Sequence, residues 1–176
     1  WQLLPMHSGE HLLTLTYGND RLAYYRWFVS PAPARVIQGR AEFVHRNQFL
    51  DEDNDLRNGA IMQWDGEAKA LITADPRPFV TGCCDECGLA DAVFLAEKNT
   101  LWPKQKQIQR LESYVHKFLR VQLQDPETFA IKRWVAGQIW GELPERYMLP
   151  GWREIKSTDT DRTFNYVHVA NIYFAL

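Results

Sequence analysis

Leu12-Leu13-Thr14-Leu15-Thr16-Tyr17-Gly18-Asn19-Asp20-Arg21-Leu22-Ala23-Tyr24-Tyr25-Arg26-Trp27-Phe28-Val29 is the stretch from which the fold class follows. Leu, Thr and Tyr dominate its first run, and aromatic and apolar side chains dominate its second. The Gly18-Asn19-Asp20 segment between them favours backbone conformations that other residues resist. Two such runs about such a turn predict a β-hairpin. Downstream, Pro31 and Pro33 break the chain, and Arg35 to His45 resumes an extended pattern. A second hairpin is expected over 60–74, turning at Asp65-Gly66. Between the two lies the acidic run Asp51-Glu52-Asp53-Asn54-Asp55. Its alternating aspartates match the opening of a calcium loop. Leu56 and Met62 stand where such a loop needs Gly and Glu, so a solvated acidic turn is expected.

Beyond residue 98 the period changes. At about 100° per residue, Ile108, Leu111, Val115, Phe118 and Leu119 share one face of a helix over about 101–124, with Thr100 as cap and Pro103 in its first turn. Lys106, Arg110, Ser113, Lys117 and Arg120 share the opposite face, so its solvent stripe is basic. Asp125-Pro126 then reads as the start of a second helix, about 126–141. Phe129, Ile131, Trp134, Val135, Ile139 and Trp140 surround that helix with apolar surface. Phe164 to Phe174 reads as a strand returning to the front sheet. The expectation is an α+β fold: a mostly antiparallel sheet from N-terminal hairpins plus a C-terminal strand, packed by the two helices. It is read as a single domain over 1–176, with a strand-rich segment over 1–98, a helical segment over 99–146 and a C-terminal strand segment over 147–176.

Composition bounds the function classes. The chain has 176 residues, 45% of them hydrophobic, enough to bury a core without staples. A net charge of −2 argues against wholesale non-specific nucleic-acid binding and leaves room for a local basic patch. Residues 1–100 carry 9 Lys and Arg against 14 Asp and Glu, whereas 101–146 carry 8 against 5. The front is acidic and the middle basic. Three clustered cysteines do not make a disulfide framework, which points to a reducing cytoplasm. No apolar run approaches the roughly 18 residues of a membrane span, so a soluble, cytoplasmic protein is expected. The chain begins at Trp1 rather than Met, which is consistent with removal of a preceding segment.

All three cysteines fall in Gly82-Cys83-Cys84-Asp85-Glu86-Cys87-Gly88. Cys84 and Cys87 form a Cys-x-x-Cys pair that can present two thiolates to zinc. A closed site needs two further ligands, from His7, His11, His45, His116, His168 or a second subunit. Redox chemistry is disfavoured by Asp85 and Glu86, whose charge opposes thiolate formation. The plain alternative is a tight turn of buried, inert thiols. Neither a Gly-x-Ser-x-Gly elbow nor a phosphate-binding loop is present, so the sequence leans away from an enzyme.

Lys104, Lys106, Arg110, Lys117 and Arg120 are the candidate binding residues, since a cationic helix face can track phosphates or an acidic protein surface. The reading that results is a non-catalytic binding subunit for nucleic acid or an acidic partner, within a larger complex. A thiol- or zinc-dependent enzyme centred on Cys84 and Cys87 is one alternative, and an inhibitor or immunity-type module is the other.

Overall fold

In the computed structural model, which describes residues 7–75, 77–135 and 158–176, strands β1 (Gly9–Tyr17) and β2 (Arg21–Val29) pair antiparallel. Their register runs from Gly9 opposite Val29 to Tyr17 opposite Arg21. Gly18 and Asp20 take left-handed φ values of 56° and 57°, which is why Gly and Asp stand at this turn. Cross-strand partners His11 and Trp27 stack at 5.4 Å between ring centroids. The chain divides into two compact units, 1–39 and 40–176.

Arg35 to His45 is not extended. Helix α1 spans Pro33–Asn47 and carries proline in its first turn, where the missing N–H costs nothing. Ala41 and Val44, three residues apart, are both fully buried. A helical stripe therefore won over the local strand pattern.

The second hairpin forms only as a stub, β3 (Trp64–Asp65) against β4 (Ala70–Leu71). The one-turn helix α2 (Pro78–Thr81) leads into the cysteine turn, and α3 (Ala90–Leu101) follows it. Thr100 does not cap a helix start; its hydroxyl donates to the Glu97 carbonyl at 2.7 Å near the end of α3. Helix α4 begins at Gln105, after the break that Pro103 enforces, and runs to Tyr114. It continues through Val115–Leu123 in wider turns, ending where the Gln124 N–H reaches the Leu119 carbonyl at 2.8 Å. The predicted apolar face holds: Leu111, Val115, Phe118 and Leu119 are buried in the core of the second unit with Ile61, Leu89 and Leu95.

No helix starts at Pro126. The Asp125 carboxylate accepts from the Glu127 and Thr128 N–H groups at 3.1 and 2.7 Å and from the Thr128 hydroxyl at 2.8 Å. This aspartate turn competes with helix formation. Phe129 then turns left-handed, and Gln124 bridges Ile131 antiparallel. Residues 136–141 of the expected helix lie outside the described residues.

The expected C-terminal strand is helix α5 (Thr163–Ala175). Asn165, Val169 and Ile172 are buried while Val167 is exposed, a spacing of four and three that no alternating strand gives. Small antiparallel sheets together with four helices of ten residues or more make a mixed α+β fold. Among the described residues no helix is long and apolar enough to cross a membrane.

Candidate functional site at the cysteine turn

Two left-handed residues shape the cysteine turn: Cys83 at φ 55° and Gly88 at φ 91°. The Cys84 carbonyl accepts from the Cys87 N–H at 3.0 Å and the Leu89 N–H at 3.3 Å, closing a wide loop. Gly88 presses so closely on the segment beneath that a Cβ there would lie 2.1 Å from the Ile61 carbonyl oxygen. The Val135 N–H holds the Gly82 carbonyl at 2.8 Å. Local sequence sets the turn, and remote segments clamp it.

Inside this clamp all three thiols are free and buried. The Cys83 sulfur lies 3.3 Å from the Met62 sulfur. Burial pushes the Cys83 thiol well above its ordinary value. A hydrogen bond from Cys83 lowers that of Cys87. Cys84 donates to Glu86 Oε2 at 3.2 Å; burial first, then the Glu86 charge, pushes its thiol far up. It is a protonated donor, not a thiolate.

Cys84, Asp85 and Glu86 bring one ligand atom each within 4.8 Å of one another. Among the described residues no histidine joins them, and Cys87 is not part of the group. Both acids already hold a cation. Arg162 donates from Nε to Asp85 Oδ1 at 2.6 Å, from Nη2 to Asp85 Oδ2 at 3.0 Å and to Glu86 Oε1 at 2.6 Å. Asn165 pins the same corner. It accepts from the Asp85 N–H at 3.1 Å and donates to the Lys132 and Arg133 carbonyls at 2.9 and 2.8 Å. Gln63 donates to the Glu86 carbonyl at 3.0 Å, and the adjacent Trp64 meets Phe43 edge-on at 5.5 Å. The outer rim of the turn therefore gathers an amide, two carboxylates and a guanidinium, with Trp64 one residue along the chain from the amide.

The predicted basic face is less open than its wheel suggests. Arg110 is ion-paired with Asp51, and Lys104 lies 3.6 Å from Glu42. Gly59 packs close to the Lys117 stem, where an added Cβ would stand 3.3 Å from Lys117 Cβ. The acidic turn is thus not simply solvated, because it lies over the basic helix. Asp55 instead holds Arg57 at 2.6 and 2.9 Å, and Arg57, 6% exposed, also donates to the Thr73 and Thr81 carbonyls. Lys106, Lys117 and Arg120 are exposed, and among the described residues none of the three forms an ion pair. Sequence reasoning missed Arg162, Asn165, Gln63 and Trp64. Arg162 meets Asp85 across 77 positions, and no local pattern announces such a partner.

Comparison with known proteins adds context. A model for a family of unknown function, DUF5695, matches residues 1–176. No curated protein matches. A solved structure described as a polysaccharide lyase shares the fold with a TM-score of 0.75 at 22% identity, over 98% of this chain and 23% of that one. The chain thus spans about a quarter of the length of that protein. This finding overturns the nucleic-acid or acidic-partner binding subunit, since the fold is shared with a protein described as acting on polysaccharide and acidic groups occupy some of the basic face. The thiol- or zinc-dependent enzyme and the immunity-type module have no counterpart in that protein's description either.

Proposed function

We propose that this chain, which belongs to the DUF5695 family, handles polysaccharide and meets it through the rim of the cysteine turn. Fold kinship alone is an analogy, because one fold hosts many activities. The reading is carried by one local observation: the Glu86 carboxylate, 46% exposed, is fixed by Arg162 at 2.6 Å, while Gln63, with the half-buried Trp64 next along the chain, donates to the backbone carbonyl of the same residue. Sugars present hydroxyls on their edges and C–H groups on their faces. Carboxylates, amides and guanidinium groups are suited to the first, and a half-buried indole to the second. The rigid setting also favours binding, since Arg162 and Asn165 hold the acidic pair before any ligand arrives.

Affinity electrophoresis of the full chain through gels carrying single polysaccharides tests this reading. Retardation by at least one polysaccharide is expected, and Trp64→Ala should weaken it about tenfold, the scale of one lost aromatic contact. Failure of every polysaccharide in a panel of neutral and acidic polymers to retard the protein overturns it.

A further inference from the structure

A second cleft lies at the other end of α5, where Arg120, Gln124, Phe129 and Tyr173 line a hollow of about 440 Å³. Its most unusual member is Phe129. A phenylalanine with φ at 59° is strained, because its Cβ crowds the following carbonyl. The ring is nevertheless 64% exposed, so no core packing explains the conformation. What holds it is the surrounding turn. The Phe129 N–H donates to the Asp125 carbonyl at 2.9 Å, the Asp125 N–H donates to the Ala130 carbonyl at 2.8 Å, and Gln124 Nε2 donates to the Phe129 carbonyl at 3.3 Å. A strained backbone held by several partners, displaying a large ring to solvent, is the pattern of a binding site.

Tyr173, 41% exposed, lines the same hollow, and its hydroxyl donates to Gln124 Oε1 at 2.7 Å. Gln124 is therefore locked in orientation, and among the described residues one of its amide hydrogens is still unspent after its bond to Phe129. Arg120 completes the wall and forms no ion pair among the described residues. Arg57, Arg110 and Arg162, by contrast, are each held by a carboxylate, from Asp55, Asp51 and Asp85 in turn. An exposed guanidinium beside two aromatic rings has the donors for a planar anion and the faces for an apolar ring.

We infer that the Arg120–Gln124–Phe129–Tyr173 cleft is a second saccharide site that takes an acidic sugar, its carboxylate on Arg120 and its ring against Phe129. This rests on the polysaccharide reading and adds to it a separate place and a ligand class. The carboxylate pairs with the guanidinium, and the Gln124 amide hydrogen is left for a neighbouring hydroxyl. A sulfated sugar offers the same kind of anion, so the test separates the two.

The full chain and its Arg120→Ala and Phe129→Gly variants are titrated with polygalacturonate, dextran sulfate and dextran, with unfolding temperatures recorded alongside. Wild type should bind polygalacturonate most tightly. Arg120→Ala should lose about tenfold or more, the usual size of a lost charge-assisted hydrogen bond. Phe129→Gly should lose affinity while its unfolding temperature stays level or rises, because glycine accepts the left-handed backbone without strain. Equal binding of polygalacturonate by both variants and wild type would overturn the cleft while leaving the rim reading intact. Preference for dextran sulfate or dextran would overturn the acidic-sugar assignment. Binding of no polysaccharide at all would overturn both readings together.

Discussion

Gly88→Ala is the sharpest test of the view that the cysteine turn is built as a clamp. The alanine Cβ would stand 2.1 Å from the Ile61 carbonyl oxygen and 3.1 Å from its carbonyl carbon. Carbon and oxygen normally approach no closer than about 3.3 Å, so one backbone must retreat by about 1 Å. Neither side yields freely. Ile61 is fully buried, and its neighbour Met62 is tied by its N–H to the Gln48 carbonyl at 2.7 Å. Forcing alanine to φ 91° costs about 1–2 kcal/mol, and overpacking a tight core adds about 1–3 kcal/mol. Taking about 3 kcal/mol, and roughly 2–4 °C per kcal/mol for a chain of this size, the melting temperature should fall by about 6–12 °C. Differential scanning calorimetry on the full chain measures it directly. Gly66→Ala serves as the control, since nothing lies within 4 Å of the position its Cβ would take. A Gly88→Ala protein melting within about 1 °C of wild type would refute the reasoning, because a close-packed backbone would then have absorbed a methyl group without cost.

Two further outcomes follow from the same corner and from α1. Asn165→Asp puts an oxygen where an NH₂ group donates to the Lys132 and Arg133 carbonyls, in a fully buried position, and should cost at least about 3 kcal/mol in urea unfolding at neutral pH; wild-type stability in that variant would rule out the pinning role. His45 is held below its ordinary 6.5, first by burial and then by Arg110, Arg46 and Lys106 against the opposing pull of Glu42, and among the described residues its buried Nδ1 has no hydrogen-bond partner. The unfolded chain therefore binds the proton more readily, so this contribution is complete above 6.5 and is lost as pH falls through the depressed folded value. Denaturant midpoints across a pH series should fall below 6.5, and His45→Gln should flatten that stretch of the curve. Asp55 and Asp75, lowered from 3.8 chiefly by Arg57 and Arg77, add a separate loss at lower pH; a series whose early decline survives His45→Gln would exclude the histidine.

By itself the sequence determined the elements whose signals are local. The first hairpin was legible because strand-forming runs flank a turn whose residues accept left-handed backbone. The amphipathic face of α4 was legible because its apolar positions repeat at helical spacing, and a tight turn at the cysteines followed from the glycines that flank it. Tertiary packing decided the rest. Arg35–His45 and Phe164–Phe174 hold residues with strand propensity, and burial of Ala41 with Val44 and of Asn165 with Val169 and Ile172 drew both into helices. The Pro126 helix failed because the Asp125 side chain bonded the backbone that a helix would have used. Above all, a sequence cannot show which charges meet. Asp51 on Arg110, and Arg162 on Asp85 across 77 positions, turned an apparent basic stripe into a partly neutralised surface and an acidic turn into a pinned rim. Such pairings depend on which segments the core brings together, and that is fixed by the burial of apolar faces over the whole chain.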